Sequence, residues 1–125
     1  MYQEVVEEQQ GEVPILAEHQ NLVLGFLANI EADPNAEEFH APVDFRGLEL
    51  HDYPEVVKNP MDLGTLKRNF NAGHYVTFEQ LLTDMQLIWD NCKLYNYPGM
   101  YKLATCMERV AKRETNKFIV ANNLQ

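Results

Sequence analysis

Along this chain apolar residues return every three or four positions in four separate stretches, the spacing of one helix face. Ile15, Leu16, His19, Leu22, Val23, Phe26, Leu27 and Ile30 form the first stripe. Asp33-Pro34 ends it, because proline disfavours the helical conformation in the residue before it. A second, shorter helix is predicted from Asp62, whose carboxylate can cap free N–H groups. It buries Leu63, Leu66 and Phe70 and stops at the glycine of Asn71-Ala72-Gly73. A third opens with Thr77 and Gln80 at capping-box spacing and carries Phe78, Leu81, Leu82, Met85, Ile88, Trp89, Cys92 and Tyr95. A fourth runs from about Met100 to Val120, with Ala104, Met107, Ala111 and Phe118 inward. No strand pattern competes and no repeat appears. The expected fold is all-α, a four-helix bundle.

The segment from Asp33 to Met61 has no long helical period, although helix connections usually take about 2–8 residues. Disorder would require a polar, core-poor composition. This stretch instead carries Phe39, Val43, Phe45, Leu48, Leu50, Tyr53, Val56 and Val57, stiffened by Pro42, Pro54 and Pro60. It is therefore expected to be an ordered loop that packs back onto one end of the bundle and forms a pocket there. Residues 1–12, MYQEVVEEQQGE, are acidic and weakly patterned and are expected to be a flexible leader, with the domain over 13–121 and a tail at 122–125.

At 125 residues and 46% hydrophobic, the chain suits one compact domain with a proper core. Nineteen acidic residues against ten basic give a net charge of −9, which repels phosphate backbones and favours encounter with a basic peptide. No direct nucleic-acid partner is expected. Cys92 and Cys106 sit inside helical patterns without C-x-x-C spacing, as reduced cysteines of an intracellular protein do. NLVLGFLANI is too short and amphipathic to span a membrane, and no stretch resembles a signal peptide.

In an antiparallel bundle the turn from Asn96 to Gly99 lies at the same end as the start of the long loop, so Asn96 is expected to face the loop's apolar residues. The site would then be an apolar slot with one amide and the hydroxyls of Tyr53, Tyr95 and Tyr97. It lacks a nucleophile–base pair, a phosphate-cradling glycine motif and a metal set. His19, His40, His51 and His74 are scattered without an i, i+4 pair, and Met85 and Met107 belong to the core. A small helical enzyme using Cys92 would need an exposed, activated thiolate, whereas a cysteine on a helix stripe is a packing residue. The chemistry suits a binding module with no catalysis, metal or cofactor, taking a neutral ligand that needs one hydrogen bond.

Three stretches carry a family resemblance: PVD at Pro42–Asp44, DYPEVVKNPMDLGTL at Asp52–Leu66 and NCKLYN at Asn91–Asn96. With this order and spacing the chain resembles the bromodomain, the four-helix reader of acetylated lysine, from about Ile15 to Phe118. The resemblance implies a left-handed bundle with a long ordered loop between the first and second helices, acting in the nucleus as a monomeric domain on acetylated histone or other protein tails. It implies that Asn96 donates its amide to the acetyl carbonyl and that Tyr53 holds the same oxygen through a water. Val43, Leu48 and Leu50 match the loop's apolar wall, Phe39 the last residue of the shelf, and Cys92 and Tyr95 the floor and back. Met100 falls at the gatekeeper position, with Tyr101 as the other candidate. Acetylation removes the lysine charge; an unmodified ammonium would enter the slot with no carboxylate to meet it, at a cost of several kcal/mol.

Two departures stand out. Where the family pattern has Trp-Pro-Phe this chain has Glu37-Glu38-Phe39, and its turn after Asn96 is about two residues shorter. The first change weakens the apolar grip and adds charge to a rim of Glu37, Glu38, Glu49, Asp52 and Glu55. An alternative follows: a bromodomain-like protein-interaction scaffold whose acetyl-lysine binding is weak or lost with its shelf.

Overall fold

A computed structural model describes residues 13–95 and 99–122. Four long helices make up the bundle, joined by one short helix in the loop: α1 (Gln20–Glu31), α2 (Tyr53–Val56), α3 (Leu63–Asn71), α4 (Phe78–Tyr95) and α5 (Met100–Asn122). α4 packs on α5 and α3, and α1 crosses to α5 and α3. Two of the helices begin where the sequence offers a side-chain cap. The Asp62 carboxylate accepts the Thr65 N–H at 2.9 Å to start α3, and Gln80 and Thr77 exchange bonds ahead of α4. α3 ends at Gly73, whose φ of +81° is open only to a residue without a Cβ strain penalty.

The stripes meet in one core. Ile30, Leu66, Leu81, Ala104 and Met107 are fully buried, and each large aliphatic removed from water contributes about 1.5–3 kcal/mol. Phe26, Phe78 and Phe118 cluster with ring centroids 5.1–5.4 Å apart. They close the end of the bundle where α4 begins and α5 finishes. The opposite end holds Trp89, with Phe39 edge-on at 5.2 Å.

Two local features differ from the pattern-based expectation. α1 starts at Gln20, after a 3-10 turn over Ala17–His19, rather than at Ile15. The preceding residues are extended instead: Ile15 N–H donates to the Val76 carbonyl and Phe78 N–H to the Val13 carbonyl, both at 2.8 Å. Leu16 is consequently 51% exposed. The long loop also contains helix, a 3-10 segment at Pro34–Phe39 and the single turn of α2. The Asp33-Pro34 pair that stops α1 also starts the first of these, because Asp33 accepts the Asn35 N–H while proline occupies a position needing no N–H. The loop packs on the bundle through Ala36, Phe39, Tyr53 and Val57, all buried.

Candidate functional site

Because α4 and α5 are antiparallel neighbours, the end of α4, the start of α5 and the long loop converge, and between them lies a cleft of about 280 Å³. Buried residues make its floor: Phe39, Tyr53 and Ile88. Leu50, Met61, Cys92, Tyr95 and Met100 are half-buried around it. Exposed residues make its rim, among them Val43, Leu48, Pro42, Glu37, Glu38 and Asp44. Val43 and Leu48 are 41% and 48% exposed although apolar. Their side chains border the cleft rather than fill the core.

Side-chain bonds hold the loop against α4. The Tyr95 hydroxyl donates to the Asp52 carboxylate at 2.5 Å, and the Asn91 amide donates to the Asn59 carbonyl at 2.8 Å. Tyr53 packs edge-on to Tyr95 at 5.0 Å and stacks on Phe45 at 5.8 Å, with the Arg46 guanidinium 5.6 Å from the centre of the Phe45 ring. The Asp52 carboxylate, with burial adding to it, pushes the Tyr95 phenol up to about 12. Desolvation raises Tyr53, with a smaller push from Cys92. At the loop's start, Gly64 N–H donates to the His40 carbonyl at 3.0 Å. A Cβ on Gly64 would lie 2.6 Å from that oxygen, so only glycine permits the approach.

Of the residues singled out from the sequence, Phe39, Val43, Leu48, Leu50, Tyr53, Cys92, Tyr95 and Met100 all line this one cleft. Asn96 and Tyr97 lie outside the described residues. Tyr101 does not border the cleft and is 49% exposed, so of the two gatekeeper candidates Met100 is the one placed there. Ile88, Asn91, Met61 and Asp44 also line it and were not anticipated. Ile88 had a usable signal, since it precedes Cys92 by one helical turn and Tyr95 by two on the same stripe.

One expectation needs correcting. The slot does contain a carboxylate, because buried Asp62 borders it. That carboxylate is already committed: one oxygen takes the Thr65 N–H and the other the Thr65 hydroxyl at 2.6 Å. The proposed rim also changes. Glu37 and Glu38 border the cleft and Asp44 joins them, Asp52 is engaged by Tyr95, and Glu49 and Glu55 stand away from it.

The arrangement suits retention of a largely apolar, neutral group. Burial pushes the Cys92 thiol up to about 11, the opposite of an activated nucleophile, and its sulfur donates to the Met100 carbonyl. Among the described residues no three His, Cys, Asp or Glu side chains gather as a metal site.

Comparison with known proteins agrees with this geometry. The Bromodomain family model matches residues 23–106. Transcription factor GTE7 of Arabidopsis thaliana is 52% identical over 61 residues, which is 49% of this chain and 10% of that protein. The SWR1 complex bromodomain subunit bdf1 of Schizosaccharomyces pombe is 36% identical over 77 residues, 62% of this chain and 13% of that protein. Histone acetyltransferase GCN5 of Debaryomyces hansenii is 36% identical over 93 residues, 73% of this chain and 20% of that protein. The matched part of this chain thus spans 10–20% of the length of these curated relatives.

Proposed function

This chain belongs to the bromodomain family, a family of binding modules, and we propose that its cleft binds acetylated lysine in histone or other nuclear-protein tails. The reading rests on Tyr53. The residue is 8% exposed and borders the cleft, yet its hydroxyl has no hydrogen-bond partner among the described residues. A buried hydroxyl in an apolar setting calls for a water or a ligand acceptor. An acetyl carbonyl reached through one water meets that need, while the butyl chain and methyl lie against Val43, Leu50, Cys92 and Met100. Asn96, the residue after Tyr95 in the chain, supplies the direct amide donor to the same oxygen. An unmodified ammonium finds no free carboxylate on the floor, since both Asp62 oxygens are engaged by Thr65, and the ion would lose its hydration. With Glu37-Glu38 at the shelf, apolar burial of the ligand chain is limited. Single acetyl-lysine peptides are expected to bind in the tens to hundreds of micromolar, about −5 to −6 kcal/mol.

Calorimetric titration of one histone-tail peptide, with and without its acetyl group, tests the proposal on the wild type and on Asn96→Ala. The acetylated peptide should bind the wild type at least tenfold more tightly than either the unmodified peptide or the Asn96→Ala pairing. Equal affinity for both peptides would leave a surface scaffold as the correct reading.

A further inference from the structure

Resting on the acetyl-lysine reading, we propose that Glu37 and Glu38 make this cleft select an acetyl-lysine that has an arginine or unmodified lysine within two residues of it. The two carboxylates precede Phe39 directly on the 3-10 segment Pro34–Phe39, and all three residues line the cleft. Phe39 is buried in its floor, while Glu37 and Glu38 are exposed at its mouth. A peptide whose acetyl-lysine enters the floor therefore places its neighbouring residues beside these carboxylates, at about 3.3 Å of chain per residue.

The two glutamates are also uncommitted. The ion pairs among the described residues use Glu18, Glu31, Glu108 and Glu114. The other carboxylates lining the cleft are occupied: Asp44 accepts the Gly47 N–H and Asp62 caps α3. Neither Glu37 nor Glu38 has a side-chain hydrogen bond or cationic partner among the described residues. Their surroundings add to the field, because residues 37–58 carry six carboxylates against two cations, Arg46 and Lys58, and Arg46 lies over the Phe45 ring. Tyr53, 8% exposed and with a hydroxyl that has no partner among the described residues, borders the same cleft and would face the acetyl oxygen there. Neutral recognition at the floor and cation recognition at the mouth then read two different side chains of one peptide. The floor rejects a charge that the mouth attracts, so a cation beside the acetyl-lysine strengthens binding and one in its place does not.

An exposed ion pair raises affinity about two- to fivefold, and two acting together roughly five- to tenfold. The test uses three synthetic peptides with one central acetyl-lysine on a glycine–serine background, flanked by arginine, alanine or glutamate. A fourth has the arginine flanks and an unmodified lysine. Each is titrated into the wild type and into Glu37→Gln/Glu38→Gln, at about 50 mM and about 500 mM salt, where screening lengths differ severalfold. The arginine-flanked acetyl peptide should bind the wild type at least fivefold more tightly than the alanine one, with the glutamate one weakest. That ratio of arginine to alanine peptide should fall below twofold in the glutamine variant and at high salt, whatever the variant's affinity for the alanine peptide itself. Equal binding of arginine and alanine peptides by the wild type, or an unchanged ratio in the variant, overturns the inference and leaves acetyl-lysine binding intact. If no acetylated peptide binds better than the unmodified one, the function proposed for the cleft falls, and this inference with it.

Discussion

Replacing Tyr53 by phenylalanine removes one hydroxyl and leaves the ring. The ring's contacts with Tyr95 at 5.0 Å and Phe45 at 5.8 Å persist, so the packing that fixes the loop is retained. The hydroxyl has no partner among the described residues and Tyr53 borders an open cleft, so its loss strips no hydrogen bond to any of those residues. Stability should therefore change by less than about 0.5 kcal/mol, which for a domain of this size is at most about 3 °C in Tm. Acetyl-peptide affinity should drop instead by the net value of one hydrogen bond, about 1 kcal/mol or roughly fivefold. Tyr53→Ala provides the contrast: deleting a buried aromatic ring costs about 3–5 kcal/mol, and affinity and stability fall together. Urea denaturation without peptide and calorimetric titration with acetylated peptide separate the two quantities. If Tyr53→Phe destabilises the free protein by more than about 1 kcal/mol, the hydroxyl is structurally bonded and the reasoning fails. If peptide affinity is unchanged while stability is too, the hydroxyl takes no part in recognition.

Three further outcomes follow from other parts of the structure. Phe39→Ala should cost about 3–5 kcal/mol in urea denaturation, because it empties the buried edge contact with Trp89 and opens the cleft floor. Cys92, with its thiol raised to about 11 from an ordinary 9.0, carries about a hundredfold less thiolate at neutral pH than an unperturbed cysteine. Mass spectrometry should find its alkylation at least tenfold slower in the native than in the urea-unfolded chain. The Lys93 ammonium and the Gln86 amide hold the Glu108 carboxyl below its ordinary 4.5, while Glu108 holds Lys93 above its ordinary 10.5. This bridge therefore contributes fully between those two values, and is lost as pH falls through the lowered Glu108 pKa or rises through the raised Lys93 pKa. Glu108→Gln should be less stable than wild type by about 0.5–1 kcal/mol from pH 5 to 9, with the gap closing below pH 4 in denaturation curves.

What was legible in the sequence was periodic or capped. The α4 stripe from Phe78 to Tyr95 and the caps at Asp62 and Thr77-Gln80 name their own geometry, since a 3.6-residue repeat and a side chain that satisfies free N–H groups each have few alternatives. The apolar content of residues 33–61 announced an ordered loop for the same kind of reason: those side chains had to be covered. Periodicity was misleading at Ile15 and Leu16, because two apolar residues on a helical stripe fit an extended segment equally well. The pairing with Val76 and Thr77 that decides between them is sixty residues away. Helix inside the loop was hidden because four or six residues are too few to display a period. The sequence also did not distinguish Met100 from Tyr101, adjacent residues that a helix turns about 100° apart, nor reveal that Asp62 borders the cleft while serving as a cap.

The polar groups around the cleft divide by commitment, and the division separates building from binding. Asp62, Asn91, Tyr95 and Cys92 each spend their hydrogen bond on another element: the α3 backbone, the Asn59 carbonyl, the Asp52 carboxylate and the Met100 carbonyl. Together they join the loop, α3, α4 and α5 around an opening that apolar packing alone would favour collapsing. Tyr53, Glu37 and Glu38 border the same opening without a partner among the described residues. A folded chain gains nothing from leaving a buried hydroxyl unpaired, and two adjacent uncompensated carboxylates repel one another. On the proposed function, a neutral polar group at the floor would satisfy the first and a cation at the mouth would offset the second. The same logic explains Val43 and Leu48, apolar side chains held half in water at the rim. Covering them by a ligand's aliphatic chain returns about 25 cal/mol for each Å², free energy left available because folding did not bury them.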